Sequence, residues 1–200
     1  MSILALTSDT LIGTASAGNI EYNGQFFGTD SATSRAQLQR ITQGAPTASS
    51  GTALTYSSLP TWVKRITISI ASLQATGTAL APLVQLSTSG TFKTSGYLGA
   101  IAASPNAVAP NANNLANGFS TYLPAIWSPS IVLHGTITLT LLNSSTYLWT
   151  AAGNISRSDS TNSATMSGSV TLAGTLDGVR LFIDGTQTFS AGSVNILYEG

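Results

Sequence analysis

Any side-chain chemistry in this chain has to start from His134, the only imidazole among 200 residues. Without a second His, a His-rich metal site cannot be assembled, and the absence of Cys removes thiolate ligands and disulfides alike. A Ser-His-Asp triad would need the same His134; Ser and Asp are plentiful, but no G-x-S-x-G elbow frames any Ser. His134 shares a strand parity with Thr136, Thr138 and Thr140, so it reads as a solvent-facing or subunit-facing residue rather than a catalytic base. Paired carboxylates for glycoside cleavage could be drawn from Asp159, Asp177 and Asp184, yet the last two occupy turn or strand-start positions where Asp has a structural task. Trp62, Trp127 and Trp149 could stack on sugar rings, although Trp in a small sandwich more often fills a core or an interface. No phosphate loop, G-x-G-x-x-G motif or basic-aromatic interleave occurs, and the sequons at Asn143 and Asn154 read as chance matches. The residues therefore imply no cofactor, no metal and no enzyme.

The elements that would carry these residues are strands. In the last forty residues the apolar period is two: Met166, Val170 and Leu172 oppose Ser167, Ser169 and Thr171, and Val179, Leu181 and Ile183 oppose Gly178, Arg180 and Phe182. Asp184-Gly185 supplies a turn, and Val194, Ile196 and Tyr198 set the parity of a final strand after Gly192, a strand expected to be held in a sheet ladder. Further back, Ile66, Ile68 and Ile70 line one face of VKRITISIASL, and Ile131, Leu133, Ile137, Leu139 and Leu141 share one parity. With the VQL core of APLVQLST, these runs predict an all-β chain: an antiparallel, jelly-roll-like β-sandwich of about seven or eight strands. Between residues 99 and 130 the pattern fails in a Pro-, Asn-, Ala- and Gly-rich stretch, which predicts a long loop. That loop carries Phe119, Tyr122 and Trp127, the candidates for ligand or subunit contact, with Trp127 foremost for ligand contact.

Residues 1–44 differ from the rest. They hold five of the fourteen charges and a hairpin signature, IEYNGQFF, centred on Asn23-Gly24. Next comes SATSRAQLQRI, a polar run with a modest helical or extended pattern, and then the linker-like QGAPTASSGTA, which predicts an arm over 1–44 and a sandwich domain over 45–200. So short an arm cannot easily bury its own core, so it reads as an attachment or trimerisation segment, with Glu21, Tyr22, Arg35 and Arg40 as its candidate contacts.

Charged residues make up only 7% of the chain, against about a quarter in ordinary proteins, and the seven basic residues balance the seven acidic ones without clustering. No electrostatic footprint for nucleic acid or an anionic bilayer results. A neutral, hydroxyl-rich surface favours association, so a place inside a larger assembly is the default expectation. The first eighteen residues lack the basic region of a signal peptide, and no apolar run is long enough for a spanning helix, so no membrane insertion is expected.

Two blocks resemble tailed-bacteriophage structural virion proteins. The first is a TA-x-AG-x-x-EY-x-G pattern followed by an Arg a dozen residues on, here Thr14, Ala15, Ala17, Gly18, Glu21, Tyr22, Gly24 and Arg35. The second is the strand-rich end, through Leu176, Asp177, Val179, Arg180, Phe189, Gly192, Ser193, Asn195 and Tyr198. Together they cover about a third of the chain. The resemblance implies a non-enzymatic virion component with a β-sandwich, commonly trimeric, either a tail-fibre or receptor-binding protein or a head-decoration protein. Its implied partners are two further copies, other virion proteins and, for a fibre tip, a host-surface glycan or protein.

Overall fold

The computed structural model describes residues 20–22, 26–29, 35–37, 39–48, 50–77, 79–104, 116–121, 126–183 and 185–200. The chain divides into two compact units, Met1–Arg40 and Ile41–Gly200. In the first, β1 (Ile20–Tyr22), β2 (Phe26–Thr29) and β3 (Arg35–Gln37) form an antiparallel three-stranded meander. Tyr22 pairs with Phe26 across the hairpin and their rings lie 5.0 Å apart, a cross-strand aromatic contact of the kind that fixes hairpin register. The Asn23-Gly24 turn itself lies outside the described residues.

The second unit opens with β4 (Ile41–Gln43), β5 (Thr47–Ala48), β6 (Ala53–Ser57) and β7 (Arg65–Ala75). Then follow β8 (Ala79–Leu80), β9 (Leu83–Thr88), β10 (Thr91–Phe92) and β11 (Leu98–Ser104). After β12 (Phe119–Ser120) and β13 (Ile126–Trp127) come the long β14 (Leu133–Asn143), β15 (Leu148–Arg157) and β16 (Ser163–Thr171). The unit ends with β17 (Gly178–Phe182) and β18 (Phe189–Glu199). The fold is an all-β, antiparallel β-sandwich. Its large sheet runs β11-β16-β15-β14-β7-β18-β4, with β5 also on β18; its small sheet runs β10-β9-β17-β6, with β12 also on β9. The chain crosses repeatedly between the sheets, and β18 is paired on both sides, by β7 and by β4 and β5.

Strand parity explains the core. Ile66, Ile68, Ile137, Leu139, Val194 and Ile196 from the large sheet join Leu54, Val84, Leu86, Val179, Leu181 and Ile183 from the small-sheet side in one buried cluster, each side chain at 5% exposure or less. At about 25 cal/mol per Å² of apolar surface, this burial is the main favourable term. Tyr56 on β6 spans the layers, its hydroxyl donating to the Val194 carbonyl at 2.6 Å. Burial raises the Tyr56 pKa.

The expected loop over 99–130 is only partly a loop. Leu98–Ser104 forms an edge strand on β16, Phe119–Ser120 pairs with β9, and Ile126–Trp127 pairs with β8. In LGAIAAS only Ile101 brings a large side chain into the core, so the strand has no apolar period to read.

One irregularity runs across three strands. On β7, Ile66, Ile68 and Ile70 face the core, but the next inward residues are Leu73 and Ala75, because Ser72 sits at φ 53° as an inserted residue. The neighbours accommodate it: β14 shifts register between Leu133 and Gly135, and β18 between Ala191 and Ser193. Gly192 lies there at φ 95°, and a Cβ on it would meet the Ser72 carbonyl oxygen at 2.4 Å. Gly192→Ala is therefore expected to cost about 2–3 kcal/mol of unfolding free energy in urea titration. Gly185→Ala, at φ 106° with open space around it, should cost about 1 kcal/mol. Equal losses at the two positions would refute the close-approach explanation.

Candidate functional site

His134, Asp159 and Asp177 are built into the scaffold. The Ser72 N–H donates to His134 Nδ1 at 3.3 Å, which leaves Nε2 to carry the proton toward Ser158 Oγ at 3.1 Å. This imidazole therefore serves the β7 bulge. Asp177 accepts from Ser87 Oγ at 2.5 Å and from the Gly90 N–H at 2.7 Å, so it ties the start of β17 to the β9–β10 turn. Asp159 accepts from the Val132 N–H at 3.1 Å and pairs with Arg157, clamping the β15–β16 turn onto the entry to β14. The Arg157 guanidinium beside it lowers its carboxyl to about pH 2, with burial opposing and the Val132 N–H assisting. Asp184 lies outside the described residues. Among the described residues no group of three or more His, Cys, Asp or Glu could hold a metal ion, and no helix is long and apolar enough to cross a membrane.

The described aromatic candidates do not come together. Phe119, expected at a ligand or subunit contact, is a core residue at 0% exposure, edge-on to Tyr97 with ring centroids 4.9 Å apart. Apolar bulk in an Asn- and Ala-rich stretch signalled burial rather than display. Tyr97 in turn accepts from the Leu86 N–H at 2.9 Å, and burial pushes its hydroxyl up to about 12. Tyr122 lies outside the described residues, and Trp127 pairs its backbone with Ala79. Trp149 is buried in the core, and Trp62 packs on Tyr198 at 5.7 Å. Of the arm candidates, Glu21 and Arg35 occupy register positions opposite Phe27 and Thr29, Tyr22 packs on Phe26, and Arg40 is half-buried at the end of the first unit.

Among the described residues, an arrangement of charge and aromatic surface not consumed by turns or strand ends lies on the outer face of the small sheet. There Arg180 is directed away from the core by the same parity that buries Val179 and Leu181. Its Nε and Nη2 both donate to Gln85 Oε1, at 2.9 and 2.6 Å. Gln85, only 2% exposed, is itself oriented by its Nε2 donating to the Asn117 carbonyl at 2.5 Å. The Arg180 Cζ lies 4.3 Å from the centroid of the Phe92 ring and 4.6 Å from that of Phe182. Burial lowers the guanidinium pKa, and Tyr97 partly offsets this. No family model, curated protein or solved structure matches this chain. The site therefore rests on its own geometry: a cation held in one orientation, flanked by two rings and bound to a neutral amide.

Sequence reasoning placed Arg180 and Phe182 on the outward parity of their strand but did not join them to Gln85 and Phe92, which are brought in by strand pairing. Arg180 stands opposite Gln85, and Phe92 opposite Ser87 one strand further out. An outward Arg-x-Phe on an otherwise neutral sheet was the available signal.

The Asp159 clamp has a definite pH signature. Its folded-state pKa lies below the unfolded value, so its stabilisation is complete above about pH 4 and is lost as pH falls through about 2. The pair is only partly shielded, which limits the contribution to about 1 kcal/mol. In urea titrations Asp159→Asn should be less stable than wild type at pH 7 by about that amount, and the difference should vanish near pH 2. A difference that persists unchanged at pH 2 would contradict the ion-pair origin.

Proposed function

We propose that this chain is a non-enzymatic structural protein of a bacteriophage virion, a tail-fibre or fibre-tip component whose sandwich is displayed for host attachment. The observation that carries this reading is the division into a small stranded unit and a large sandwich. The small meander exposes Ile20 at 72% and Phe26 at 46%, apolar side chains that a three-stranded sheet cannot cover by itself. The sandwich closes its core with strands of its own unit and leaves an outward face bearing Arg180, Phe92 and Phe182. An arm that is completed by docking, followed by a finished domain that presents a surface, suits a protein held on a particle by one end. The resemblance of the Thr14–Arg35 block and of the last strands to phage virion proteins points the same way.

The near absence of net charge fits a protein surrounded by copies of itself, and a cyclic homotrimer is the assembly proposed. A second reading, a decoration or cement protein on the phage head, is favoured by the exposed Leu98 and Leu142 on the sandwich, at 68% and 64%, which neighbouring capsomers would cover.

Immunogold labelling of intact particles distinguishes the readings: label at the tail is expected, label over the head would favour the cement reading, and no label would remove both. In sedimentation equilibrium the purified chain should behave as a trimer, and a stable monomer would refute the assembly. Removing residues 1–40 should leave a folded sandwich that no longer enters particles, because the second unit has its own core. Loss of the cooperative unfolding transition in the truncated chain would show instead that the arm belongs to that core.

A further inference from the structure

We propose that the distal edge of the Arg180 guanidinium receives the carboxylate of an acidic saccharide on the outer face of the small sheet. A guanidinium offers five N–H donors in a planar fork. Gln85 Oε1 takes Nε and one N–H of Nη2, so the edge formed by Nη1 and the second Nη2 hydrogen has no acceptor among the described residues. That edge can bind a carboxylate through two parallel hydrogen bonds. Its orientation is already set: the buried Gln85 amide, fixed by the Asn117 carbonyl, holds the inner edge, and the Phe92 and Phe182 rings lie against the guanidinium. Little conformational entropy would remain to be lost on binding.

The charge is desolvated but not neutralised. Two aromatic rings and an amide remove water from Arg180 without supplying a counter-charge, and among the described residues no carboxylate lies within ion-pair distance of it. Asp177, beneath the same face, has its two oxygens committed to Ser87 and Gly90. An incoming anion would supply the missing charge. The surroundings select the kind of anion. Arg180 is the only basic residue on β6, β9 and β17, whereas phosphate-rich polymers are gripped by several cations together. Beside Arg180 and Gly178, in register on β6, stand the exposed hydroxyls of Thr55 and Ser57. Hydroxyls next to aromatic edges and a single fixed cation suit a sugar ring bearing one carboxylate. The proposal rests on the display role above only for where such a saccharide would be met.

The test uses the full chain and three probes, sodium glucuronate, its neutral methyl ester and sodium acetate, followed by saturation-transfer NMR. Glucuronate should bind saturably in the millimolar range, at least about tenfold more tightly than either the ester or acetate. Arg180→Gln should abolish the signal. Arg180→Lys, which keeps the charge and loses the fork, should weaken it at least about fivefold, with each variant's thermal transition checked first. Absence of saturable glucuronate binding, or binding unchanged in both variants, overturns the site. Acetate binding as well as glucuronate overturns the saccharide assignment. Failure of the display role is separable: glucuronate binding that Arg180→Gln removes, together with normal host adsorption by particles carrying Arg180→Gln, would keep the site and refute its use in attachment.

Discussion

The inserted residue Ser72 is the constraint around which the large sheet is arranged. A strand of eleven residues with strict alternation would carry Leu73 and Ala75 to the outer face; one extra residue returns both to the core. The insertion can exist only because β14 and β18 yield with it. β14 contributes a His whose Nδ1 accepts the freed Ser72 N–H, and β18 contributes a Gly that lets the Ser72 carbonyl come close. These three strands form the centre of the large sheet, and β18 carries β4 and β5 beyond them. The chain's only imidazole is therefore a structural acceptor, and its conversion to any other duty would leave the exposed Ser72 N–H to solvent.

Much of this fold is legible in the residues. The parities of Ile66–Ile70, Leu133–Leu141, Val179–Ile183 and Val194–Tyr198 all place the inward side chains as the structure has them, because a half-buried antiparallel strand imposes a period of two on its apolar residues. What was not legible has the same cause in reverse. The bulge at Ser72 is marked by no Gly or Pro in β7 itself. Strand β11 is invisible because Gly, Ala and Ser fit either face of an edge strand, and the same small-residue bias made Phe119 look like a displayed aromatic when it is an anchor in the core. The candidate site is harder still: Gln85, Phe92 and Arg180 come from three strands, and only the pairing β10-β9-β17 makes them neighbours.

Charge is used sparingly and mostly locally. Arg65 meets Glu199 beside the Lys64 N–H bond to the Glu199 carbonyl, closing the end of β18 against β7. Arg157 meets Asp159 within a single turn. In a chain with seven basic and seven acidic residues, each such pair neutralises a substantial share of the available charge, so the remaining face is read through hydroxyls, amides and aromatic rings. Against that background a single oriented cation acquires more specificity than it would have on an ordinary charged surface, because β6, β9 and β17 carry no second basic residue.

The same economy bears on the two units. Among the described residues, the contacts seen within the meander β1–β3 are its backbone ladders and the Tyr22–Phe26 ring contact. Isolated small sheets are marginal on such terms. Its exposed Ile20 and Phe26 are the surface whose burial would stabilise it, and burial by another chain would make the order of the arm depend on assembly. The sandwich has no such dependence, since its core is closed by strands drawn from Ile41–Gly200 alone. In the proposed assembly such a chain would gain stability at one end by joining a particle and keep the other end independent of it, which is the physical condition for presenting a fixed binding face outward.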